Sequence, residues 1–185
     1  YIPQVKCSPL GTPFISDMFS QADKISKFPI LVFINSDIIL PENFMQVINI
    51  VTQSLDKFLL VGHRWDIDID NIINYDNKVE YNLLWEKIKT KSKQHRCTGI
   101  DYFIYKRYQW INIPNFIIGR DGYDNWIIWK ARRKLLPVVD ATEILMVAHQ
   151  NHPYNYSKIN EDSEVLLKDE RKHNKEIYTD KTLNL

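Results

Sequence analysis

The hydrophobic and polar positions of this chain follow two spacings, one typical of helices and one typical of buried strands. Amphipathic helices are predicted where apolar residues recur every third or fourth position, at 14–27, 41–55, 80–91 and 123–134. Buried strands are predicted at the short, mostly apolar runs 30–34, 58–62, 101–105, 138–141 and 144–148. This alternation predicts an α/β domain, with the run at 30–34 as a central strand.

The segments between these elements are polar and rich in turn-forming residues. We expect a mobile basic loop at 89–96 and a turn-rich loop at 114–122, where proline and glycine interrupt the pattern. The C-terminal segment is charged and has only a weak helical pattern at 164–175. We therefore predict one α/β domain over residues 1–156, followed by a polar, weakly helical tail over residues 157–185.

Composition and charge argue against several classes of function. The chain has 185 residues and a formal net charge of +1, without the strong basic excess of a nucleic-acid groove. No run of about 18 apolar residues is present to span a membrane. Cys7 and Cys97 lack a metal-binding spacing and indicate a reduced, cytoplasmic setting, with one disulfide left open. The 12% aromatic content suits core packing first, and sugar-binding surfaces second.

The sharpest candidate site is Asn35-Ser36-Asp37, which directly follows the apolar run at 30–34. In open α/β sheets, ligands bind beyond the carboxyl ends of the strands. A carboxylate in that place can bind a hard divalent cation, which takes further ligands from water and substrate phosphate. A helix cap or a turn is the equally weighted alternative, because Asn, Ser and Asp all favour those roles.

A second candidate site is His149-Gln150-Asn151-His152, which follows the apolar run at 144–148. A neutral imidazole is a good ligand for a transition metal such as Mn²⁺. On the spacing of the two histidines alone, a loop histidine that makes ordinary hydrogen bonds is the favoured interpretation.

Two further segments place charged residues next to a helix start or a strand end. Asp124 could accept a proton from a hydroxyl nucleophile, whereas Asp121 is better explained as a helix cap. Arg64 could pair with a phosphate in bidentate fashion. A surface salt bridge from Arg64 to a nearby aspartate is the equally weighted alternative.

These segments occur together in an order that resembles a family of nucleotide-sugar glycosyltransferases with a GT-A-type fold. Asn35-Ser36-Asp37 resembles the Asp-x-Asp motif of those enzymes, with one of its two usual acids. The other matching segments are Pro114-Asn115-Phe116…Gly119-Arg120…Tyr123-Asp124-Asn125-Trp126, Pro137-Val138-Val139-Asp140-Ala141-Thr142, His149-Gln150-Asn151-His152 and Lys6…Gly11-Thr12-Pro13. The resemblance covers roughly residues 1–156.

The resemblance implies a three-layer α/β/α domain of GT-A type with a mixed central sheet, here without the first N-terminal strand–helix unit. It also implies a divalent metal, Mn²⁺ or Mg²⁺, held by Asp37 and His149, with a diphosphate contact as the alternative role of His149. Asp124 is the implied catalytic carboxylate on the acceptor side. The residues assigned to the donor nucleotide are Lys6, Thr12, Asn35, Ser36 and Arg64. The residues assigned to the acceptor side are Gly119, Arg120, Asn125, Trp126 and His152.

Three functions compete at this point. The first is a metal-dependent glycosyltransferase that moves a sugar from a nucleotide-diphospho-sugar donor to a hydroxyl of a glycan or other acceptor. The alternative is a non-catalytic sugar- or nucleotide-binding module derived from such a domain. A metal-dependent phosphoesterase built on Asp37, His149 and His152 ranks last, because two-metal hydrolysis requires more clustered acids.

Overall fold

The computed structural model of the chain describes residues 2–110, 112–152 and 161–179. Helices and strands intermix along these residues, which confirms the predicted α/β class. The helices are α1 Ile15–Ile25, α2 Phe44–Ser54, α3 Lys78–Lys91, α4 Tyr123–Arg133 and α5 Glu161–Thr179. The strands are β1 Ile30–Ile34, β2 Ile38–Ile39, β3 Leu59–Val61, β4 Arg64–Ile67, β5 Lys93–Gln94, β6 Tyr102–Lys106, β7 Val138–Asp140 and β8 Val147–Gln150.

The chain divides into two compact units. Unit 1 takes in the described residues of Tyr1–Leu31, Tyr105–Pro137 and Asn155–Leu185. Unit 2 takes in Val32–Ile104 and the described residues of Val138–Tyr154. The predicted boundary between residues 156 and 157 lies outside the described residues, so the separate C-terminal tail stays a prediction.

The described residues form two four-stranded sheets, where the resemblance implied one mixed central sheet. One has the strand order β1-β6-β3-β7, in which β3 and β7 run parallel. The other has the order β2-β8-β4-β5 and lies wholly in unit 2. Within it, β8 is antiparallel to β2 and parallel to β4, so His149 lies opposite Ile38 on one side and Asp66 on the other.

The prediction that residues 30–34 form a central strand, buried on both faces, is wrong. Among the described strands, β1 is the last in the order β1-β6-β3-β7, and Val32 at its middle is 38% exposed. By contrast, each residue of the inner strand β3 is at most 5% exposed. Both segments are apolar runs, so the difference comes from position. A strand with a neighbour on one side only has its side chains less completely covered.

Several predicted boundaries shift because strand pairing orders polar residues. The segment 89–96, predicted to be a mobile loop, contains the end of α3 and strand β5, whose Gln94 pairs with Trp65 of β4. Strand β8 continues to Gln150, so His149 lies within the strand instead of after it. In these segments the local sequence predicts a loop, but pairing with a neighbouring strand makes them part of a sheet.

Unit 1 contains α1, α4 and α5. Helix α4 begins after Gly122, whose φ of 104° is one that glycine adopts without strain. Phe19 of α1 stacks on Tyr105, with ring centroids 5.0 Å apart. Helix α5 is longer than the weak pattern at 164–175 predicted, and it buries Glu170 and Asn174. One face of α5 therefore packs against the rest of this unit, while most of its described side chains are exposed.

The structure also bears on membrane spans and on the two cysteines. Within the ranges that the structure describes, no helix combines the length and the apolar character needed to cross a bilayer. Cys7 and Cys97 are both free and exposed, so the disulfide that the sequence left open is not formed.

Candidate metal centre

Three side chains of unit 2 converge where β2 and β8 meet. Asp37 directly precedes β2, His149 lies within β8, and His152 follows β8. The pairing of Ile38 with His149 brings the adjacent Asp37 to the same place. Asp37 Oδ2 lies 3.3 Å from His149 Nε2 and 3.1 Å from His152 Nε2. One potential ligand atom from each residue lies within 4.8 Å of the other two.

The donor set fits a divalent cation. Ligand atoms this close together can share one ion, since oxygen ligands bind at about 2.0–2.6 Å. His149 is almost fully buried, whereas the side chains of Asp37 and His152 are 29% and 42% exposed, so one side of the site is open to solvent. Asp37 Oδ1 is buried and has no hydrogen-bond partner among the described residues, as expected of an atom reserved for a ligand. Two imidazoles favour a transition metal such as Mn²⁺ over Mg²⁺, which prefers oxygen.

Asp66 lies on the opposite side of His149 from Asp37. The parallel pairing of β4 with β8 places Asp66 beside His149, and Asp66 Oδ1 lies 3.2 Å from His149 Nδ1. The two atoms are close enough for a hydrogen bond, but their geometry does not meet the criteria for one. His149 Nδ1 therefore has no hydrogen-bond partner among the described atoms. A carboxylate at Nδ1 favours the tautomer that leaves Nε2 free for a metal.

Asp66 belongs to a network of charged groups that extends from the metal centre. Its carboxylate contacts His95 Nδ1 at 2.5 Å and Arg64 Nε at 2.9 Å. Arg64 Nη1 reaches Asp101 Oδ2 at 2.6 Å, and Asp101 Oδ1 accepts a hydrogen bond from Asn35 Nδ2 at 2.7 Å. Burial acts to raise the pKa of Asp66, but the His95 hydrogen bond and the Arg64 charge outweigh it and hold that pKa below its ordinary value. The Asp66 carboxylate therefore stays ionised at neutral pH.

Two of the three donor-side residues of unit 2, Arg64 and Asn35, have partners within this network. Arg64 forms salt bridges with Asp66 and Asp101, which is the alternative to phosphate binding that the sequence left open. A phosphate would therefore compete with two carboxylates for the guanidinium. Asn35 is engaged by Asp101, and Ser36 lies in the exposed turn before β2.

The acceptor-side residues lie in unit 1, with the exception of His152. Asp124 is in the first turn of α4, where its Oδ1 accepts a hydrogen bond from the backbone N–H of Asn125 at 2.8 Å. Trp126 is buried in the core of this unit, and Gly119 lies in an exposed loop. The convergence of Asp124 with Asp37 stays a prediction.

Two donor-side residues, Lys6 and Thr12, also lie in unit 1. Thr12 Oγ1 lies 3.5 Å from Glu170 Oε2, and Arg120 Nη2 lies 2.6 Å from the same oxygen. The backbone N–H of Lys6 donates to the Asp17 carboxylate. These contacts hold unit 1 together, and the donor and acceptor roles assigned to Lys6, Thr12 and Arg120 stay predictions.

Sequence reasoning did not single out Asp101 or His95. Asp101 could have been identified from the sequence, because an acid at the start of a buried strand needs a partner. His95 could not, since it belongs to the segment predicted as a mobile loop. His152 was assigned to the acceptor side, and only the phosphoesterase hypothesis grouped it with Asp37 and His149, as the structure does.

No protein-family model, no curated protein and no solved structure matches this chain. The likeness to glycosyltransferases therefore rests on the sequence segments quoted above. The case for a metal centre rests on the geometry of Asp37, His149 and His152.

Proposed function

We propose that this chain is a metal-dependent glycosyltransferase that takes its sugar from a nucleotide-diphospho-sugar and gives it to a hydroxyl acceptor. The observation that carries the proposal is the convergence of Asp37, His149 and His152 at the start of β2 and the end of β8. The resemblance to GT-A enzymes supplies the substrate class. A GT-A-type fold and a cytoplasmic location belong to the same proposal.

The residues of the metal centre divide the work of donor binding. Asp37 and the two imidazoles would hold the cation, and their exposed side would leave positions for diphosphate oxygens. A divalent cation would supply positive charge to neutralise the leaving diphosphate. Asp66 orients His149 from behind, and Asp124 orients or deprotonates the acceptor hydroxyl.

Phosphate-ester hydrolysis is the second candidate function. It is favoured by one observation, the position of His152 beside Asp37, because that hypothesis grouped the same three residues. Within the described part of the chain, this is the one cluster of three or more potential metal ligands. These three residues can bind one metal ion, whereas two-metal hydrolysis requires ligands for two ions. Transfer therefore ranks first.

The experiment that separates these functions supplies Mn²⁺ and one substrate at a time. A transferase is expected to release nucleoside diphosphate from one of a panel of nucleotide sugars, and EDTA is expected to stop the release. Release of p-nitrophenol from p-nitrophenyl phosphate would favour the esterase instead. Metal-dependent binding of a nucleotide sugar without any turnover would favour a non-catalytic binding module.

The Asp124→Asn variant is expected to bind nucleoside diphosphate as the wild type does and to turn over about 10²–10⁴-fold more slowly. The reason is that Asp124 is assigned to the acceptor hydroxyl and not to the donor. Initial rates and diphosphate titration measure the two effects separately. Asp121→Asn makes the same charge change in the preceding loop and is expected to keep wild-type turnover. Unchanged turnover in Asp124→Asn would remove Asp124 from the mechanism.

The Asp66→Asn variant is expected to bind Mn²⁺ about 10–100-fold more weakly, the usual effect of removing a carboxylate that orients a metal-binding histidine. Isothermal titration of Mn²⁺ into the metal-free protein measures it. Asp70→Asn is the matched control, because it makes the same charge change at an exposed aspartate of the same unit. Affinity equal to the wild type in Asp66→Asn would show that Asp66 does not position His149.

A further inference from the structure

Unit 2 contains a second candidate binding site, at the other end of the β2–β8 pairing from the metal centre. It is a surface cavity of about 600 Å³, lined by the chain after β2, by one face of α3 and by the segment before β8. Pro41 in its wall is four residues beyond Asp37, which is roughly 13 Å along an extended chain. The volume falls within the range of about 300–1,000 Å³ that is common for small-molecule sites.

One wall of the cavity is aromatic and held in place by the core. Tyr81 and Trp85 are one helical turn apart on α3, with ring centroids 6.3 Å apart and ring planes at 61°. Trp85 packs against the core cluster that contains Leu84 and Ile88. Its indole Nε1 is covered by the protein and makes no hydrogen bond to the described residues. The exposed atoms of the Trp85 ring are therefore carbons, which give the cavity an apolar surface.

The other walls carry polar side chains. Glu42, Asn82, Glu86 and Lys89 line the cavity, and none of these side chains has a hydrogen-bond or ion-pair partner within the residues that the structure describes. Together they offer both donors and acceptors, which suits hydroxyl groups because each hydroxyl both donates and accepts. With two carboxylates against one ammonium, the wall disfavours an anionic ligand such as a phosphate.

We propose that this cavity is a carbohydrate-binding subsite for a neutral sugar. A pyranose ring lies with its C–H face on Trp85, and its hydroxyls bind Glu42, Glu86 and Asn82. A mostly apolar, aromatic surface with a few placed polar groups is the arrangement that small-molecule sites use for affinity and orientation. The cavity shares no residue with the metal centre, so the sugar-binding proposal and the metal-binding proposal can be tested independently.

The test uses ¹⁹F NMR on protein labelled with 5-fluorotryptophan. The chain has five tryptophans, and the Trp85 resonance is identified by its loss in Trp85→Phe. Maltotriose, cellotriose, mannotriose and N,N′,N″-triacetylchitotriose are titrated one at a time. At least one of them is expected to shift the Trp85 resonance in a saturable way, while the resonance of Trp129, which does not line the cavity, stays in place.

Variants of the polar wall decide whether the sugar occupies the proposed place. Glu42→Gln and Glu86→Gln change exposed side chains, so folding is unaffected, and each is expected to weaken binding about tenfold by removing a charged acceptor. Asp37→Asn is expected to leave sugar binding unchanged, whatever it does to metal binding. The proposal is overturned if no sugar shifts the Trp85 resonance. It is equally overturned if binding is unaffected by both glutamate variants, or is lost in Asp37→Asn.

Discussion

Replacing Asp37 by asparagine is expected to lower the affinity of the protein for Mn²⁺ by at least about 100-fold. Asp37 Oδ2 is the atom that both His149 and His152 face, at 3.3 and 3.1 Å, and it carries the only negative charge of the three ligands. Loss of a residue that merely orients a metal ligand costs about 10–100-fold in affinity, so loss of a direct anionic ligand should cost no less.

The fold of Asp37→Asn is expected to be intact. Asp37 lies between β1 and β2, its side chain is partly exposed, and it contributes little to the apolar core. Calorimetric titration of Mn²⁺, with a thermal unfolding curve for each protein, separates loss of binding from loss of structure. Asp70→Asn again serves as the control for a change of net charge. Wild-type affinity in Asp37→Asn would remove this residue from the metal centre.

The Glu170→Ala variant is expected to reduce the free energy of unfolding by about 3–5 kcal/mol, the usual cost of leaving one member of a buried ion pair without its partner. Glu170 and Arg120 side chains are 5% and 12% exposed, and their charged atoms lie 2.6 Å apart. Ser8 also donates its hydroxyl hydrogen to Glu170. Alanine removes these contacts and leaves the Arg120 guanidinium charged in a poorly hydrated place.

A matched control for Glu170→Ala exists on the same helix. Glu164 pairs with Lys168 at 3.1 Å one turn along α5, but both side chains are exposed. Glu164→Ala is expected to cost about 0.3–0.5 kcal/mol, as exposed pairs of this spacing usually do. Urea denaturation of both variants measures the difference. Equal losses would show that the Glu170–Arg120 pair is no more important than a surface pair. Glu170→Gln keeps the shape and loses the charge, and its loss is expected to fall between the two.

The comparison of β1 with β3 shows how far apolar patterning predicts this fold. Both strands were predicted from their apolar runs, and both form. The apolar pattern predicts that a segment forms a strand, but the number of strands beside it, and so its burial, depends on residues far along the chain. For that reason the element types were predictable, whereas the edge position of β1 and the division into two sheets were not.

The candidate site was predictable in part. Asp37 and His149 were expected at one site because the resemblance to GT-A enzymes assigned both to one metal, and the structure places Asp37 Oδ2 3.3 Å from His149 Nε2. The positions of Asp66 and His95 depend on the pairing of β4 with both β8 and β5. That register is a long-range property, and no local pattern at Asp66 or His95 encodes it.

The central claim is that a divalent cation at Asp37 links the protein to a nucleoside diphosphate. A diphosphate brought to Asp37 without a cation meets like charge, and a cation between them makes the interaction attractive. The most direct measurement is calorimetric titration of UDP and GDP into the wild-type protein, with and without Mn²⁺. The account predicts that Mn²⁺ strengthens binding of one of them by about tenfold or more, equivalent to at least about 1.4 kcal/mol. Equal affinity with and without Mn²⁺ would contradict the account.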